Sequence, residues 1–351
     1  MKNTIKKIAL AGSALLISTS LTSAQTTVTG NIDIGLKAFT TDSLKAQSNR
    51  NMTKESQINL QTKGSLPNGM SYAAGMSIEM DGTDTGAVGT HTENNYIDII
   101  SGSTTLSFSA DHMPNGNYSI TNIAGTLADI DDVAEGVGAT AAASMNDLHG
   151  ANGSFGIGII QDLGIAKASY FYAPSGTNSP LANDGAAATP ALSGAANAFH
   201  EATLRGNFGV KGLDLGFVYN VSDSQETTAT KNNDVTNVLV SAKYTLPMGI
   251  AIAAEHSEGE SASYVTTKTR ALGIGYAVNK DVTVGYQIAK TDLSTVNTTE
   301  EKIQGINIGY NLGPVALQGN LVKVSNIGTP ANTVTSGRDG KAAHVTASVK
   351  F

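Results

Sequence analysis

The segment LADIDDVAEG, residues 127–136, brings four carboxylates close together: Asp129, Asp131, Asp132 and Glu135. A cluster of carboxylates beside a narrow, water-filled passage raises the local concentration of cations and favours their passage. An acidic loop facing open water has the same composition, so the segment alone leaves both interpretations open. Its prediction as a pore constriction therefore depends on the elements that hold it.

Other chemistry-bearing patterns are weak. GVGATA (136–141) matches a dinucleotide-loop pattern but follows an acidic stretch instead of a strand, and HEATL (200–204) lacks the second His of a zinc-protease motif. The chain has no Cys, which excludes disulfides and thiolate metal sites. A formal net charge of −7 argues against nucleic acid as a partner. We therefore predict no enzyme activity, no cofactor and no metal site; DGTDTG (81–86) is read as a plain polar loop, with a Ca²⁺ site through Asp81 and Asp84 as the alternative.

The N-terminal segment has the pattern of an export signal. Three lysines precede an apolar stretch from Ile8 to Ile17, which is too short to span a bilayer. Thr22, Ser23 and Ala24 then supply a small-residue cleavage site. The sequence predicts a signal peptide at residues 1–24 and a mature chain of residues 25–351.

The remaining chain alternates between apolar and polar residues in many short runs. LDLGFVYNV (213–221), TNVLVSAKYTL (236–246) and DVTVGYQIAK (281–290) each place apolar side chains at every second position. A period of two is typical of strands with one face against an apolar medium and one against water. The chain is therefore predicted to be all-β.

The connections between these runs are short at one end and long at the other. Seven short ones contain Gly, Pro, Asn or Asp, as tight turns require. Eight long ones are predicted near 40–53, 81–92, 113–152, 174–198, 223–234, 259–268, 292–300 and 326–341. Fifteen connections join sixteen strands, and this pattern predicts a sixteen-stranded antiparallel transmembrane β-barrel with short periplasmic turns and long extracellular loops.

Parity along each strand predicts which side chains face the lumen. With apolar residues facing lipid, Arg205 and Lys243 face inward and are the candidates for a basic patch opposite the acidic segment. Arg270 shares the parity of Leu272 and is predicted at the outer rim. The other predicted lumen residues are Glu55, Gln57, Asn59, Gln61, Glu79, Asp111, Glu201, Asp214, Asn220, Glu255, Gln287, Asn307, Gln318, Asn320 and His344.

The last run, AAHVTASVKF (342–351), alternates up to Phe351. A closed barrel leaves no free edge in lipid, so this run is predicted to be the closing strand, paired with a strand near 28–38. VTASVKF resembles the final strand of bacterial outer-membrane proteins, which the barrel assembly machinery reads. TTVTGNIDIGLKAF (26–39) resembles the first strand of the Gram-negative general porins.

This resemblance implies a homotrimer in contact with outer-membrane lipids. It also implies that the third long loop, about 113–152, folds into the lumen and narrows it. Porins are usually rich in interfacial aromatics, whereas this chain has 11 Tyr, 8 Phe and no Trp. Several tyrosines are nevertheless predicted in an interface belt: Tyr72, Tyr96, Tyr172, Tyr244, Tyr276 and Tyr310.

The function that follows is a porin: a channel for passive diffusion of small hydrophilic solutes and ions, weakly cation-selective through its acidic loop. The alternative is an exported β-rich structural or adhesin-type surface protein without channel activity. A third class, an outer-membrane enzyme such as a lipase, would need a Ser and a His placed together, and no such arrangement is evident.

Overall fold

The computed structural model describes residues 25–41, 49–83, 89–110, 112–114, 155–174, 198–222, 235–260, 266–293, 300–327 and 338–351. The predicted signal peptide, residues 1–24, lies outside the described residues. So do Asp111, Asp129, Asp131, Asp132 and Glu135. None of the described residues belongs to a helix that is long and apolar enough to cross a membrane.

Sixteen strands form one closed antiparallel barrel, in which each strand pairs with its neighbours in sequence and the first pairs with the last. This confirms the predicted fold. The strands are β1 Gln25–Thr41, β2 Asn49–Ser65, β3 Ser71–Thr83, β4 Gly89–Ser101, β5 Thr104–Ala110, β6 Gly156–Asp162, β7 Ala166–Ala173, β8 Phe199–Gly206, β9 Leu213–Ser222, β10 Val235–Thr245, β11 Ile250–Glu260, β12 Thr266–Ala277, β13 Val282–Leu293, β14 Glu301–Leu312, β15 Val315–Ile327 and β16 Arg338–Lys350.

The two faces of the barrel wall differ as the alternation predicts. On the outer face, apolar side chains such as Leu272 and Leu321 remain about 60% exposed (60% and 61%) because they face the lipid. The inner face is mostly polar. Arg270 lies on the outer face beside Leu272, as its parity predicts. A barrel of sixteen strands is wide enough to hold an aqueous channel.

Short turns join the strands at one end of the barrel, here called the turn end, which is periplasmic. Gly69, Gly164 and Gly249 lie in these turns with φ of 83°, 79° and 81°, a conformation that other residues rarely adopt. The opposite end, here called the loop end, is extracellular. There β1 to β4 extend further than predicted, so the connections 40–53 and 81–92 were predicted too long. The strand residues in these regions are polar, so the sequence shows no alternation of apolar residues from which a strand could be predicted.

Four tyrosines of the predicted belt lie on the outer face near the turn end: Tyr72, Tyr244, Tyr276 and Tyr310. The prediction for Tyr96 was wrong. Between the pairs Ser77–Glu93 and Gly75–Tyr96, strand β4 contains one extra residue, and Asn94 adopts a positive φ of 50°. This bulge exchanges the two faces of β4, so the Tyr96 ring points into the barrel.

Candidate functional site: the inner wall of the barrel

One side of the inner wall is acidic. Asp33 of β1 and Glu55 of β2 are direct cross-strand neighbours, and Glu79 follows on β3 opposite Gln57. Asn31 donates a hydrogen bond from Nδ2 to Asp33 Oδ2 at 2.6 Å. Carboxylates placed this close together favour a nearby cation, because their mutual repulsion falls when positive charge enters between them.

The basic residues predicted for the constriction lie on the other side of the barrel, on β8 and β10. Arg205 of β8 makes a bidentate ion pair with Asp214 of β9, with Nε and Nη2 at 3.1 and 2.7 Å from the two carboxylate oxygens. Lys243 of β10 is the direct cross-strand neighbour of Asp214. All three side chains face inward. Arg205 and Lys243 each lie close to the turn end of their strands, so this cluster stands near the periplasmic mouth.

Acidic groups exceed basic groups over the described inner wall. The inward acidic residues are Asp33, Glu55, Glu79, Asp98, Asp162, Glu201, Asp214, Glu255 and Glu301. The inward Lys and Arg residues are Lys37, Lys63, Lys167, Arg205, Lys243 and Lys350. Within the described part of the chain, the wall therefore has a negative balance.

A three-residue cluster anchors the chain where the third long loop begins. His112 follows β5 and stacks on the Tyr96 ring, with centroids 3.5 Å apart and planes 5° apart. Its Nε2 lies 3.2 Å from Asp98 Oδ2. Tyr96 in turn covers Gly75, where a Cβ would lie 2.6 Å from the ring. The absence of a side chain at Gly75 thus gives Tyr96 room to lie flat on the inner wall.

The next residue, Met113, is held by an apolar cluster on the inner face. Its side chain is 5% exposed and packs with Phe171 and Ala173 of β7 and with Phe199 of β8. A Cβ on Gly158 would lie 2.5 Å from Met113 Cε, so the methionine occupies space that the glycine leaves free. Burying such a side chain is worth roughly 1.5–3 kcal/mol.

Pro114 then lines an inner cavity of ≈ 360 Å³ together with Ser169, Thr203, Arg205 and Asp214. These partners lie closer to the turn end than the last residues of β5. Residues 112–114 therefore turn back into the barrel and run along its inner wall. The remainder of the predicted loop, from residue 115, lies outside the described residues.

Parity identified the direction of Arg205 and Lys243 but missed the anchor of Tyr96, Asp98 and His112. The alternation of β4 is interrupted by the bulge at Asn94, and nothing in the sequence marks that position except an asparagine, which tolerates positive φ. Among the described residues, no group of three or more His, Asp or Glu side chains is arranged to hold a metal ion.

The barrel closes where the sequence predicts, with β16 alongside β1 from Asn31–Lys350 to Thr41–Gly340. Phe351 extends this pairing by one residue, because its N–H and C=O bond the backbone of Gly30 at 3.0 and 2.9 Å. On the inner face of the same seam, His344 Nε2 lies 3.2 Å from Thr53 Oγ1 and 3.1 Å from Thr346 Oγ1. The seam is thus held on both faces.

Comparisons with known structures agree with this architecture. The chain is similar to the anion-selective porin from Comamonas acidovorans (14% identity, TM-score 0.64), with 94% of this chain and 100% of that one covered. It is also similar to an engineered triple mutant of the Rhodopseudomonas blastica porin (14% identity, TM-score 0.61), with 93% and 100% covered. No curated protein sequence matches the chain.

The family comparison covers most of the chain. The sequence profile of the Gram-negative porins matches residues 9–329. Together with the closed sixteen-stranded barrel and its polar inner wall, this match identifies the chain as a member of the Gram-negative porin family, which forms non-enzymatic channels in the outer membrane.

Proposed function

We propose that this porin conducts small hydrophilic solutes and ions by passive diffusion and weakly prefers cations. The observation that carries the proposal is the polar inner wall of a closed barrel, on which inward carboxylates outnumber inward Lys and Arg among the described residues. A surplus of negative charge around an aqueous passage raises the concentration of cations inside it.

The third long loop would supply the constriction. The anchors at His112, Met113 and Pro114 direct the chain inward at the start of this loop, and these contacts support a path through the lumen. Asp129, Asp131, Asp132 and Glu135 would then add four carboxylates to the passage. Arg205, which pairs with Asp214, and Lys243 are the basic counterparts near the periplasmic mouth.

Single-channel recording in a planar bilayer across a KCl gradient tests this proposal. We expect discrete, ohmic steps and a reversal potential that favours K⁺. Replacing Asp131→Lys and Asp132→Lys should move that potential toward anions. The matched control, Asp223→Lys with Glu226→Lys in the fifth long loop, makes the same charge change outside the proposed constriction and should move it much less.

Other outcomes would change the proposal in defined ways. A preference for anions in the wild-type protein would keep the channel and refute the acidic constriction. Equal shifts in the two double variants would place the acidic segment outside the passage. Folded protein that gives no conductance would refute diffusion and favour the structural surface protein.

We also propose a homotrimer, because one part of the barrel wall consists of short strands. Strands β5 to β8 have seven or eight residues, whereas a strand needs about nine to eleven to cross the hydrocarbon. Next to this sector, Leu60, Met76, Ile97 and Phe108 line an outer groove of ≈ 650 Å³. Because strands β5 to β8 are too short to cross the hydrocarbon, a neighbouring copy of the chain would cover this apolar surface in place of lipid.

Because the chain has no Cys, single Cys variants report on this interface without a background. A lipid-soluble maleimide should label Ile274→Cys, on the outer face of β12, faster than Ile157→Cys, on the outer face of β6. Light scattering of the detergent-extracted protein should give three chains per particle. Equal labelling in particles of three chains would move the interface elsewhere on the barrel, and a single chain per particle would refute the trimer.

A further inference from the structure

The inner cavity that Pro114 lines carries charges of both signs. It measures ≈ 360 Å³ and lies near the turn end of β6 to β9. Its charged lining residues are Asp162, Lys167, Arg205 and Asp214, so the lining as a whole has no net charge. A solute of a single sign is attracted by one half of these groups and repelled by the other half, whereas a solute that carries both signs is attracted by all of them.

These charges form a row across neighbouring strands. Asp162 of β6 is the direct cross-strand neighbour of Lys167 of β7, which in turn lies opposite Arg205 of β8. Arg205 makes the bidentate pair with Asp214 of β9. Neighbouring strands lie about 4.8 Å apart, so the wall presents opposite charges to the lumen at a spacing that a small molecule can bridge.

Two groups of the row retain the capacity to bind a solute. Among the described residues, the Lys167 ammonium group forms no hydrogen bond or ion pair. Asp162 Oδ1 accepts a hydrogen bond from the Gly164 N–H at 2.8 Å, whereas Oδ2 has no partner in the same part of the chain. Lys167 and Arg205 repel each other as like charges on opposed strands, so a carboxylate that enters beside them lowers this repulsion.

A pair of hydroxyl groups lies one step further from the turn end. Ser169 Oγ and Thr203 Oγ1 are 2.5 Å apart, and Thr203 is buried. Each hydroxyl has a single proton to donate. Because the hydrogen bond between them uses only one of the two protons, the other can be donated to a carboxylate in the cavity. Pro114 adds an apolar ring to the same lining.

We propose that this cavity binds a small zwitterionic solute, of which a free α-amino acid is the simplest, as it passes through the channel. The carboxylate contacts Lys167 and the free hydroxyl proton, the ammonium group contacts Asp162, and the side chain lies toward Pro114. The volume is at the lower end of the range for small-molecule sites, which favours a single amino acid over a peptide chain. This inference rests on the diffusion function proposed above and names a solute class for it.

Influx of radiolabelled L-alanine into vesicles that contain the full barrel tests the proposal. Lactamide is the comparison solute, because it is an uncharged isomer of alanine and has the same size. We expect alanine influx to saturate with concentration and lactamide influx to rise in proportion to it. Excess glycine should slow alanine influx, whereas propionate and ethylammonium, which each carry one charge, should slow it much less.

Lys167→Gln removes the cation without a partner. It should raise the half-saturating alanine concentration by about fivefold, the effect of losing one solvent-exposed charge pair. The matched control is Lys63→Gln, which removes an inward lysine near the turn end of β2, on another side of the barrel. This control should leave the half-saturating concentration unchanged.

Asp162→Asn tests the other end of the site without disturbing the turn. Asparagine keeps the oxygen that accepts the Gly164 N–H but loses the negative charge. The half-saturating alanine concentration should again rise by about fivefold, while heat-modifiable migration stays that of the wild type. If Lys167→Gln does not fold, this variant still decides whether the cavity binds the ammonium group.

Four results would overturn the proposal. Alanine influx that is linear and equal to lactamide influx, in barrels with normal KCl conductance, would remove the site and leave the diffusion function intact. Absence of both KCl conductance and influx would refute the diffusion function, and the site with it. Full competition by propionate alone would show an anion site, and an equal effect of Lys63→Gln would show a general field of the lumen.

Discussion

The ring of Phe351 lies against Gly30, although the two residues are 321 positions apart in the chain. The two residues exchange both backbone hydrogen bonds across the seam, and a Cβ on Gly30 would lie 2.6 Å from Phe351 Cζ. Gly30 is therefore the space into which the aromatic ring folds. The outer face of the seam closes by this contact at the turn end of β1.

We predict that Gly30→Ala destabilises the barrel by about 1–3 kcal/mol, because the added methyl group must displace the ring or the backbone of β2. Unfolding by urea in lipid vesicles, followed by heat-modifiable migration on gels, measures the change. Gly319→Ala is the matched control, since nothing lies within 4 Å of a Cβ at that position. Equal stability of the two variants would show that the ring does not need the space at Gly30.

Phe351→Ala should affect assembly more than final stability. The side chain is 60% exposed toward lipid, so its loss removes little buried area, and we propose that the assembly machinery reads this residue. Cells expressing the variant should contain less folded barrel in the outer membrane, whereas purified barrels should unfold at nearly the wild-type urea concentration.

The control for Phe351→Ala is Val349→Ala, which truncates the preceding outward residue of the same strand. It should leave the cellular level of folded barrel almost unchanged. A second outcome would contradict a role in recognition. If purified Phe351→Ala barrels unfold at a urea concentration as strongly reduced as the level of folded barrel in cells, the residue acts through the seam alone.

His112→Ala should loosen the start of the third loop. The variant loses the ring stacked on Tyr96 and the contact with Asp98, while the Met113 cluster remains. We expect noisier open-channel current and more frequent brief closures in single-channel recordings. His256→Ala, on the outer face of β11, is the control, and identical current noise in the two variants would argue against the anchor.

The ion pair of Arg205 and Asp214 predicts opposite shifts in selectivity. Asp214→Asn should move the reversal potential toward anions, and Arg205→Gln should move it toward cations. Each shift should be less than about twofold in permeability ratio, because salt screens charges at a wet pore mouth. The double variant should lie close to the wild type, since the pair removed is neutral. Shifts of the same sign in both single variants would contradict a direct electrostatic effect.

The outward or inward direction of most strand residues could be predicted from sequence. Arg205 and Lys243 face the lumen because they alternate with outward apolar neighbours, and Arg270 faces outward because it shares the parity of Leu272. The number of strands likewise follows from turn residues and from runs of alternation. The direction of Tyr96 could not be predicted, because the bulge at Asn94 adds one residue to β4 and only the pairing with β3 reveals it.

Local alternation and turn chemistry thus determined the sixteen strands, their order and the polar character of the lumen, since these depend on neighbours in the chain. Barrel closure decided the rest. It joined Gly30 to Phe351 and brought His112 onto Tyr96. These relationships depend on register between strands, which local sequence specifies only weakly and the closed hydrogen-bonded barrel fixes.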